Sequence, residues 1–374
     1  MTLYPKLILD ALKHVRYPGT GIDIVSAGMV DDDIRIVGNR ISFSLVLEKS
    51  NDPFARSLVK AAEQAILTYA GADAEIEGNI ALRFRNQFPE KQEEKQGRPL
   101  PGVKNIIAVS SGKGGVGKST VASNLAVALA NEGYKTGLLD ADIFGPSIPK
   151  MFGLEEARPV LVPVNGRELI RPEERYGVKT LSIGFFVEPS NAILWRGGMA
   201  SNALKQLITE TDWGELDYFL IDLPPGTSDI HLTMVQTLPI TGAIIVTTPQ
   251  EVALADARKG ISLFTGEKIN VPILGLIENM AWFTPAELPE NRYYLFGKEG
   301  GRKLADELHL PLLGQIPVVQ SICEGGDSGT PVACNPNTIT GKAFAALAQN
   351  VVNQLEIRNL TLQKTQIVKI VEKK

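Results

Sequence analysis

One stretch of the sequence decides the fold: Ile106-Ile-Ala-Val-Ser-Ser-Gly-Lys-Gly-Gly-Val-Gly-Lys-Ser-Thr120. An apolar run leads into a glycine-rich segment, in which the pattern G-x-x-x-x-G-K-S extends from Gly112 to Ser119. Glycines allow consecutive backbone N–H groups to converge on phosphate oxygens, because no Cβ stands in the way. The stretch therefore predicts a strand, a phosphate-binding loop (P-loop) and a helix, in that order.

The residues of this loop have separate predicted roles in a nucleotide site. Lys118 is predicted to place its charge at the β- and γ-phosphates of ATP, and Ser119 to offer its hydroxyl to Mg²⁺. The first turn of the helix adds the positive end of its dipole. The predicted nucleotide contacts in the loop are Gly112, Lys113, Gly114, Gly115, Val116, Gly117, Lys118, Ser119 and Thr120.

The same glycines also fit the pattern G-x-G-x-x-G of a Rossmann dinucleotide site. Asp140 and Asp142 follow downstream, where an acid that binds a ribose would lie. A lone G-x-G-x-x-G is a weak signal, whereas a lysine and a serine directly after the last glycine indicate a P-loop. The P-loop interpretation is therefore favoured over the dinucleotide site and over a glycine-rich turn without a ligand.

Two acidic residues are predicted to complete the site. Asp222 ends the apolar strand Tyr218-Phe-Leu-Ile-Asp222, where a P-loop enzyme needs an acid for its metal ion. Asp142 follows another buried strand and is a candidate catalytic residue, which orients the attacking water or reaches the metal. A capping or turn-forming role is the alternative for both carboxylates.

Short apolar runs alternate with helical stretches after residue 102, which predicts an α/β fold with a mainly parallel sheet flanked by helices. The predicted strands are Asn105–Val109, Thr136–Asp140, Leu181–Phe185, Tyr218–Asp222, Ala243–Thr247 and Ile273–Ile277. The predicted helices include Ser119–Asn131, Ala200–Glu210 and Glu251–Phe264. Ligands of such sheets bind beyond the carboxyl ends of the strands.

A polar, proline-containing segment divides the chain. We predict a small α+β domain over residues 1–87, a linker over 88–102, a P-loop ATPase domain over 103–357 and a C-terminal tail over 358–374. In the small domain, apolar patterns predict helices over Leu3–Val15 and from Asp52-Pro53 to Tyr69, with Asp52 as N-cap. The predicted strands there are Ile22–Ser26, Ile34–Val37 and Ile41–Leu47, followed by an alternating run over Ala74–Phe84.

Composition and charge exclude several classes of protein. The net charge of −4 and the pI of about 5.6 argue against nucleic acid as a main partner. No apolar run approaches the roughly 20 residues that span a bilayer, and the first residues do not resemble a signal peptide. Two cysteines, Cys323 and Cys334, cannot form a disulfide framework. We therefore expect a cytoplasmic protein without a membrane partner.

The loop sequence resembles the deviant Walker A ATPases of the MinD/ParA superfamily, because Lys113 adds a second lysine to it. This resemblance implies a homodimer that sandwiches the nucleotide, in which Lys113 reaches the phosphates of the partner. With Lys118 and Asp142, Lys113 is therefore a predicted catalytic residue of an ATPase.

Longer motifs resemble the Mrp (ApbC-like) iron–sulfur cluster carrier proteins. They are Leu139-Asp-Ala-Asp-Ile-Phe-Gly-Pro-Ser-Ile-Pro149, Trp195-Arg-Gly-Gly-Met199, Asp222-Leu-Pro-Pro-Gly-Thr-Ser-Asp229, Thr247-Thr-Pro-Gln-Glu-Val-Ala-Leu-Ala-Asp256 and Glu278-Asn-Met280. The first 87 residues resemble the small iron–sulfur assembly domain fused to such carriers. The resemblance implies an ATPase that delivers clusters to apo iron–sulfur proteins with the help of assembly factors, and it implies that Asn279 binds the adenine.

The cysteine pattern departs from this family. Members usually carry a C-x-x-C pair after the Glu-Asn-Met segment, and two such pairs can hold a [4Fe–4S] cluster between two chains. Here residues 281–297 contain no cysteine, and Asp52 stands where the small domain usually has one. Cys323 and Cys334 are the remaining candidate ligands, with ordinary unligated thiols as the alternative. The identity of the cluster ligands is thus left open by the sequence.

Two other functions remain open at this stage. One is a MinD/ParA-like positioning or partitioning ATPase that acts on membrane or DNA, which the absence of the cysteine pair favours. The other is a scaffold in which nucleotide only fixes the dimer and is not hydrolysed. The small N-terminal domain and the segment Trp195-Arg-Gly-Gly-Met199 favour the cluster carrier.

Overall fold

The chain forms two compact units, Met1–Gly97 and Arg98–Lys374. The computed structural model describes residues 3–18, 21–31, 33–47, 52, 54–71, 74–76, 79–84, 99–186, 197–266, 269–285, 287–288 and 290–368. Most of the predicted linker, residues 88–98, lies outside the described residues.

The first unit is a small α+β domain. Its helices and strands are α1 (Pro5–Leu12), β1 (Arg35–Val37), β2 (Arg40–Leu47), α2 (Ala55–Tyr69) and β3 (Ile80–Phe84). The strands form one sheet in the order β1-β2-β3, with β1 antiparallel and β3 parallel to β2. Apolar residues of both helices and of β2 make its core, for example Ile8, Leu45 and Ile66.

Two local predictions in this unit are wrong. Ile22–Ser26 is not a strand but a turn, because the carboxylate of Asp23 accepts the backbone N–H of Ser26 at 2.8 Å and folds the chain back. Asp52 is not the N-cap of α2, since the helix begins at Ala55 after Phe54. The carboxylate of Asp52 instead accepts the N–H of Phe54 and the hydroxyl of Tyr17, each at 2.8 Å. Pro53 lies outside the described residues.

The second unit is an α/β domain around one large sheet. Its strands are β4 (Val103–Ser110), β5 (Thr136–Asp140), β6 (Leu161–Val164), β7 (Arg167–Ile170), β8 (Glu173–Arg175), β9 (Val178–Ser182), β10 (Leu216–Asp222), β11 (Gly242–Thr247), β12 (Ile273–Glu278) and β13 (Leu312–Gln315). Its helices are α3 (Lys118–Asn131), α4 (Ile148–Met151), α5 (Gly197–Thr209), α6 (Asp229–Thr237), α7 (Glu251–Thr265), α8 (Gly300–Glu307), α9 (Gln320–Asp327) and α10 (Ile339–Thr361).

The large sheet has the strand order β13-β12-β11-β4-β10-β5-β9-β8, and β6 and β7 form a separate hairpin. Neighbouring strands of the large sheet are parallel except for the edge strand β8, which pairs antiparallel with β9. The predicted α/β fold with a mainly parallel sheet is confirmed. The carboxyl ends of seven parallel strands therefore meet along one edge, where P-loop proteins bind their ligand.

Helices cover both faces of this sheet, because apolar residues fill both sides of its strands. In β4, Ile106 and Ala108 belong to a core that α5, α6, α7 and α8 cover. Ile107 and Val109, which point to the opposite face, belong to a second core with α3 and α10. This double burial explains why the strands are continuous apolar runs.

The observed elements shift some predicted boundaries. The strand predicted over Leu181–Phe185 is β9, which ends at Ser182. Residues Ile183–Phe185 form a 3-10 helix instead, because the side chain of Ser182 accepts the N–H of Gly184 at 3.0 Å. The last helix, α10, continues past residue 357, the predicted end of the P-loop domain, and ends at Thr361. Among the described residues, no helix is long and apolar enough to cross a membrane.

Candidate functional site

The glycine-rich loop joins β4 to α3 and opens toward solvent at its centre. Gly115 and Gly117 have φ angles of 81° and 79°, a region that favours glycine over residues with a side chain. A Cβ at Gly115 would meet no heavy atom within 4 Å, so the backbone is bare on this side. A Cβ at Gly117 would instead collide with the amide of Asn279. The loop thus has one face for a ligand and one for protein.

The first glycine of the motif has a packing role. A Cβ at Gly112 would overlap the backbone carbonyl of Asp256 in α7, far inside van der Waals contact. Only glycine allows the loop to approach α7 this closely. Gly112, predicted as a phosphate contact, also packs the loop against the neighbouring helix.

A buried ion pair lies at the centre of the site. The ammonium of Lys118 is 2.5 Å from Oδ1 of Asp222, and the side chains are only 6% and 0% exposed. The same ammonium is 3.2 Å from the hydroxyl of Ser119. Three of the residues predicted for phosphate and metal binding are therefore together.

The carboxylate of Asp222 has an unused acceptor. Its Oδ2 is buried and has no hydrogen-bond partner among the described residues. A buried charged oxygen without a donor is costly, so such an atom suits a cation or a bound water. Mg²⁺ prefers oxygen ligands and is held in nucleotide sites by one or two protein oxygens together with phosphates. Ser119 and Asp222 fit this ion.

A second buried carboxylate lies beside this pair. The register of the sheet places Asp140, the last residue of β5, directly opposite Asp222, the last residue of β10. Burial, together with the negative charge of Asp222, raises the pKa of Asp140 to about 7. The sequence pattern singled out Asp140 only for the dinucleotide alternative and gave it no role in the P-loop site. Two neighbouring strands that both end in aspartate are the signal that would have revealed it.

Asp142 follows β5 by two residues and is half-buried. Burial raises the pKa of its carboxyl, against the lowering effect of the nearby Lys118 charge. A carboxylate with a raised pKa is a better proton acceptor, which is the property that a residue activating water needs. Its backbone N–H donates to Oδ1 of Asp140 at 3.1 Å.

Asn279 lies against the loop from the other side. It follows β12, and its side-chain amide donates to the carbonyl of Val116 at 2.8 Å. Next to it is a cavity of about 470 Å³, a size common for small-molecule sites. The cavity is lined by Gly117, Thr120, Ser147, Lys150, Met151, Asn279, Met280, Pro317, Val318, Val319, Ile322, Cys323, Gly326 and Asp327. A nucleoside attached to phosphates on the loop has room there.

Lys113 differs from Lys118 in its surroundings. Its side chain is exposed, and among the described residues its ammonium has no hydrogen bond or ion pair. Only its backbone carbonyl is engaged, as the acceptor of the Ser111 hydroxyl at 3.0 Å. The lysine is therefore available to a ligand or a partner.

The two cysteines lie in different environments. Cys323 is exposed on α9, with its Sγ 3.7 Å from Oδ2 of Asp327. Cys334 is half-buried against the core, and burial raises the pKa of its thiol. Among the described parts of the chain, no group of three or more His, Cys, Asp or Glu side chains is arranged to hold a metal ion.

His231 supports the turn that follows Asp222, although sequence reasoning gave it no role. It is 1% exposed in α6, and its Nδ1 accepts the N–H of Ser228 at 3.2 Å. Its Nε2 lies 3.5 Å from the hydroxyl of Ser110 at the end of β4. Burial lowers the pKa of this imidazole to about 4. The sequence around this single histidine contains no pattern that would have indicated its role.

The low pKa of His231 predicts a dependence of stability on pH. The unfolded chain takes up a proton below a pH of about 6.5, whereas the folded chain resists it until about 4, so stability falls as the pH is lowered through this window. We expect His231→Asn, which retains an acceptor but does not titrate, to remove about 2 kcal/mol of the loss between pH 7 and pH 5. Chemical unfolding followed by tryptophan fluorescence measures it.

The exposed His309 provides the matched control. His309→Asn should retain the pH dependence of the unsubstituted chain. An unchanged pH dependence in His231→Asn would contradict the effect of burial on this imidazole.

Comparison with known proteins places the chain in a family. Residues 102–352 match the family described as the NUBPL iron-transfer P-loop NTPase (ParA), and residues 6–77 match the iron–sulfur cluster assembly protein family. A Synechocystis protein named iron–sulfur cluster carrier protein is 40% identical over 355 residues, which are 94% of this chain and 98% of the relative.

Two solved structures share the fold of the second unit. A nucleotide-binding protein from Archaeoglobus fulgidus, solved in complex with ADP and with cobalt, is 39% identical, with a TM-score of 0.54 over 62% of this chain and 88% of that one. The septum site-determining protein MinD of Pyrococcus horikoshii, solved with Mg-ADP, is 26% identical, with a TM-score of 0.50 over 68% and 98%. The resemblance inferred from the motifs is confirmed: the chain belongs to the family of NUBPL-type iron-transfer P-loop NTPases and carries an iron–sulfur cluster assembly domain before its P-loop unit.

Proposed function

We propose that the chain is an iron–sulfur cluster carrier that binds and hydrolyses ATP and delivers clusters to apoproteins. The observation that carries the proposal is the match to a protein named iron–sulfur cluster carrier over 94% of this chain, since it includes both units. A likeness in the P-loop unit alone would support only the nucleotide chemistry. The cluster is cargo in this proposal, and ATP is the substrate of the site.

When ATP binds, the ammonium of Lys118 moves from the carboxylate of Asp222 to the phosphates. The lysine is 2.5 Å from the carboxylate, so a small movement of its ammonium suffices to reach a ligand on the loop. Mg²⁺, held by Ser119 and Asp222, would neutralise charge on the phosphates. Asp142 orients the attacking water and accepts its proton, for which its raised pKa is suited.

Removal of Lys118 tests the nucleotide site. We expect Lys118→Ala to abolish ATP binding and phosphate release, because the charge that meets the phosphates is lost. Lys104→Ala is the matched control, since Lys104 lies in β4, the strand that leads into the loop, but is exposed and pairs with Asp217. Binding of a fluorescent ATP analogue and a phosphate-release assay measure the two effects. The wild-type rate of hydrolysis in Lys118→Ala, with folding verified by thermal melting, would refute the assignment.

The surface around the loop supports a homodimer. Large apolar side chains are exposed at the carboxyl edge of the sheet: Phe144 at 67%, Val252 at 62%, Met199 at 54% and Phe186 at 47%. Phe144, Phe186 and Val252 follow the carboxyl ends of β5, β9 and β11, the edge of the sheet at which Lys113 is also exposed, and a soluble surface rarely concentrates such groups without a partner. A second copy on this face would cover them and bring its own Lys113 to the phosphates.

A mixing experiment tests whether Lys113 acts across the dimer. Lys113→Ala should bind ATP within about threefold of wild type but lose about tenfold or more in kcat, since the lysine meets the phosphates only in the transition state. A mixture of Lys113→Ala with Lys118→Ala should recover hydrolysis, because the first chain keeps an intact site and the second supplies Lys113. The doubly substituted chain is the control partner, which should restore nothing.

Equal losses of binding and hydrolysis in Lys113→Ala, or no recovery on mixing, would contradict a role in the partner's site.

The cargo must be bound without a C-x-x-C pair. Cys323 is exposed and accessible to iron, whereas the raised pKa of Cys334 opposes the thiolate that iron requires. We infer that Cys323 is the principal thiolate and that two chains of a dimer contribute one each. The remaining ligands of a shared cluster come from other molecules. In the test, an added low-molecular-weight thiol can take their place.

Anaerobic reconstitution with iron, sulfide and glutathione tests this assignment. We expect visible absorbance of a cluster in the wild-type chain and in Cys334→Ser, its loss in Cys323→Ser, and transfer to an apo-ferredoxin. A wild-type chain that neither takes up a cluster nor transfers one would overturn the carrier function. A Cys323→Ser chain that loads normally would overturn only the choice of ligand.

The alternative of a positioning ATPase on membrane or DNA rests on the fold alone. The MinD structure of Pyrococcus horikoshii resembles the P-loop unit, but it has no counterpart for the match of residues 6–77 to an iron–sulfur assembly family. The carrier function therefore accounts for more of the chain.

A further inference from the structure

We propose that Asp140 is a positioning residue, which holds the loop that carries Asp142 and ties it to the turn after β9. The inference rests on the proposed function, since it concerns how the ATPase site is set up. Asp140 makes no direct contact with ATP in this proposal. It acts through the backbone of Asp142 and through the side chain of Ser182.

Both ends of the loop after β5 are bonded to this one carboxylate. Oδ1 of Asp140 accepts the N–H of Asp142 at 3.1 Å. Oδ2 accepts the N–H of Ile148, the first residue of α4, at 3.2 Å. Residues 141–147 are therefore closed into a loop over a group that is 0% exposed. While both hydrogen bonds are made, the position of Asp142 relative to β5 and α4 is restrained.

The same carboxylate reaches the next strand of the sheet. Oδ2 of Asp140 also accepts the hydroxyl of Ser182 at 3.0 Å, and the Oγ of Ser182 accepts the N–H of Gly184. A Cβ at Gly184 would lie 3.1 Å from Cγ of Pro149 and 3.2 Å from Cβ of Pro146. The turn after β9 and the loop after β5 thus pack closely and share one hydrogen-bonded centre.

A carboxylate is needed for this arrangement. Three donors converge on Asp140, one on Oδ1 and two on Oδ2. In asparagine an NH₂ group replaces one of these oxygens, so this group would face at least one donor and could not accept its hydrogen. A buried carboxylate opposite Asp222 is unfavourable by itself, because like charges repel where water is excluded. A turn without any role in the site would not require such a residue. The free-energy cost of burying the carboxylate of Asp140 indicates that the position of Asp142 depends on this residue.

The two bonded segments also reach the surface. Phe144 lies in the loop after β5 and Phe186 directly follows the turn after β9, and both are exposed. Asp140 therefore fixes the relative positions of two apolar side chains on the face where a second copy is proposed to bind.

Hydrogen exchange tests the positioning in the nucleotide-free chain. We expect Asp140→Asn to raise the exchange rate of the Asp142 or the Ile148 amide about tenfold or more, because one of these two buried donors then faces the side-chain NH₂ group and loses its acceptor. Ser182→Ala should raise the rate at Gly184. Thr136→Val is the matched control, since it removes a buried hydroxyl at the opposite end of β5. Unchanged exchange at Asp142 and Ile148 in a folded variant would overturn the proposal.

A double-mutant cycle with Asp142→Asn tests the consequence for hydrolysis. Asp140→Asn should lower kcat about tenfold with KM unchanged, and it should cause no further loss when Asp142 is already replaced. Losses that multiply in the double variant would show that Asp140 acts separately from Asp142 and would overturn the positioning role. Should Asp140→Asn fail to fold, Ser182→Ala takes its place in the cycle, with the same pattern expected at a smaller amplitude.

The two experiments separate this proposal from the proposed function. If Asp142→Asn hydrolyses ATP at the wild-type rate, the catalytic assignment of Asp142 fails. The exchange rates then still decide whether Asp140 holds the loop, because they do not depend on turnover.

Discussion

The ion pair between Lys118 and Asp222 is the interaction on which the site depends. It connects the helix after the glycine-rich loop with a neighbouring strand, and it is almost completely shielded from water. Breaking such a pair by removing one partner leaves an uncompensated buried charge, which is strongly destabilising. A nucleotide that draws Lys118 away must therefore bring a cation for Asp222. This cation would bind at Oδ2 of Asp222, which has no hydrogen-bond partner in the described part of the chain. In the proposed function, this requirement couples the binding of the nucleotide to that of Mg²⁺.

The parallel sheet gathers the other members of the site. Strands β4, β5 and β10 are neighbours, so their carboxyl ends bring the loop, Asp140 and Asp222 together. The next strands on the other side, β11 and β12, place Asn279 against the glycine-rich loop. Each strand contributes one or two polar residues just where its apolar run ends. The same geometry exposes apolar side chains around the site, which is why a second copy of the chain is the proposed cover.

Different observations support the nucleotide chemistry and the cargo function of this protein. The nucleotide site contains a preformed cluster, in which Lys118 contacts Asp222 and Ser119 beside the bare backbone of the glycine-rich loop. The cargo function comes from relatives that match both units, and the cysteines of this chain differ from the usual pair of the family. Cys323 lines the cavity beside the loop, so a thiol on α9 and a nucleoside would be neighbours. In the proposed function, a cluster bound at Cys323 would be close enough to the nucleotide for each to influence the binding of the other.

The sequence by itself determined the strand–loop–helix of the nucleotide site, the parallel α/β fold and the family, because glycine spacing, apolar runs and motifs are local properties of the chain. It misplaced the strand Ile22–Ser26, since the carboxylate of Asp23 bonds to the backbone and Ile24 is buried in a turn as it would be in a strand. Only the tertiary structure decided that Asp140 lies opposite Asp222 and that Gly112 packs on α7. These facts depend on which distant segments become neighbours, and that is fixed by the order and register of the sheet as a whole.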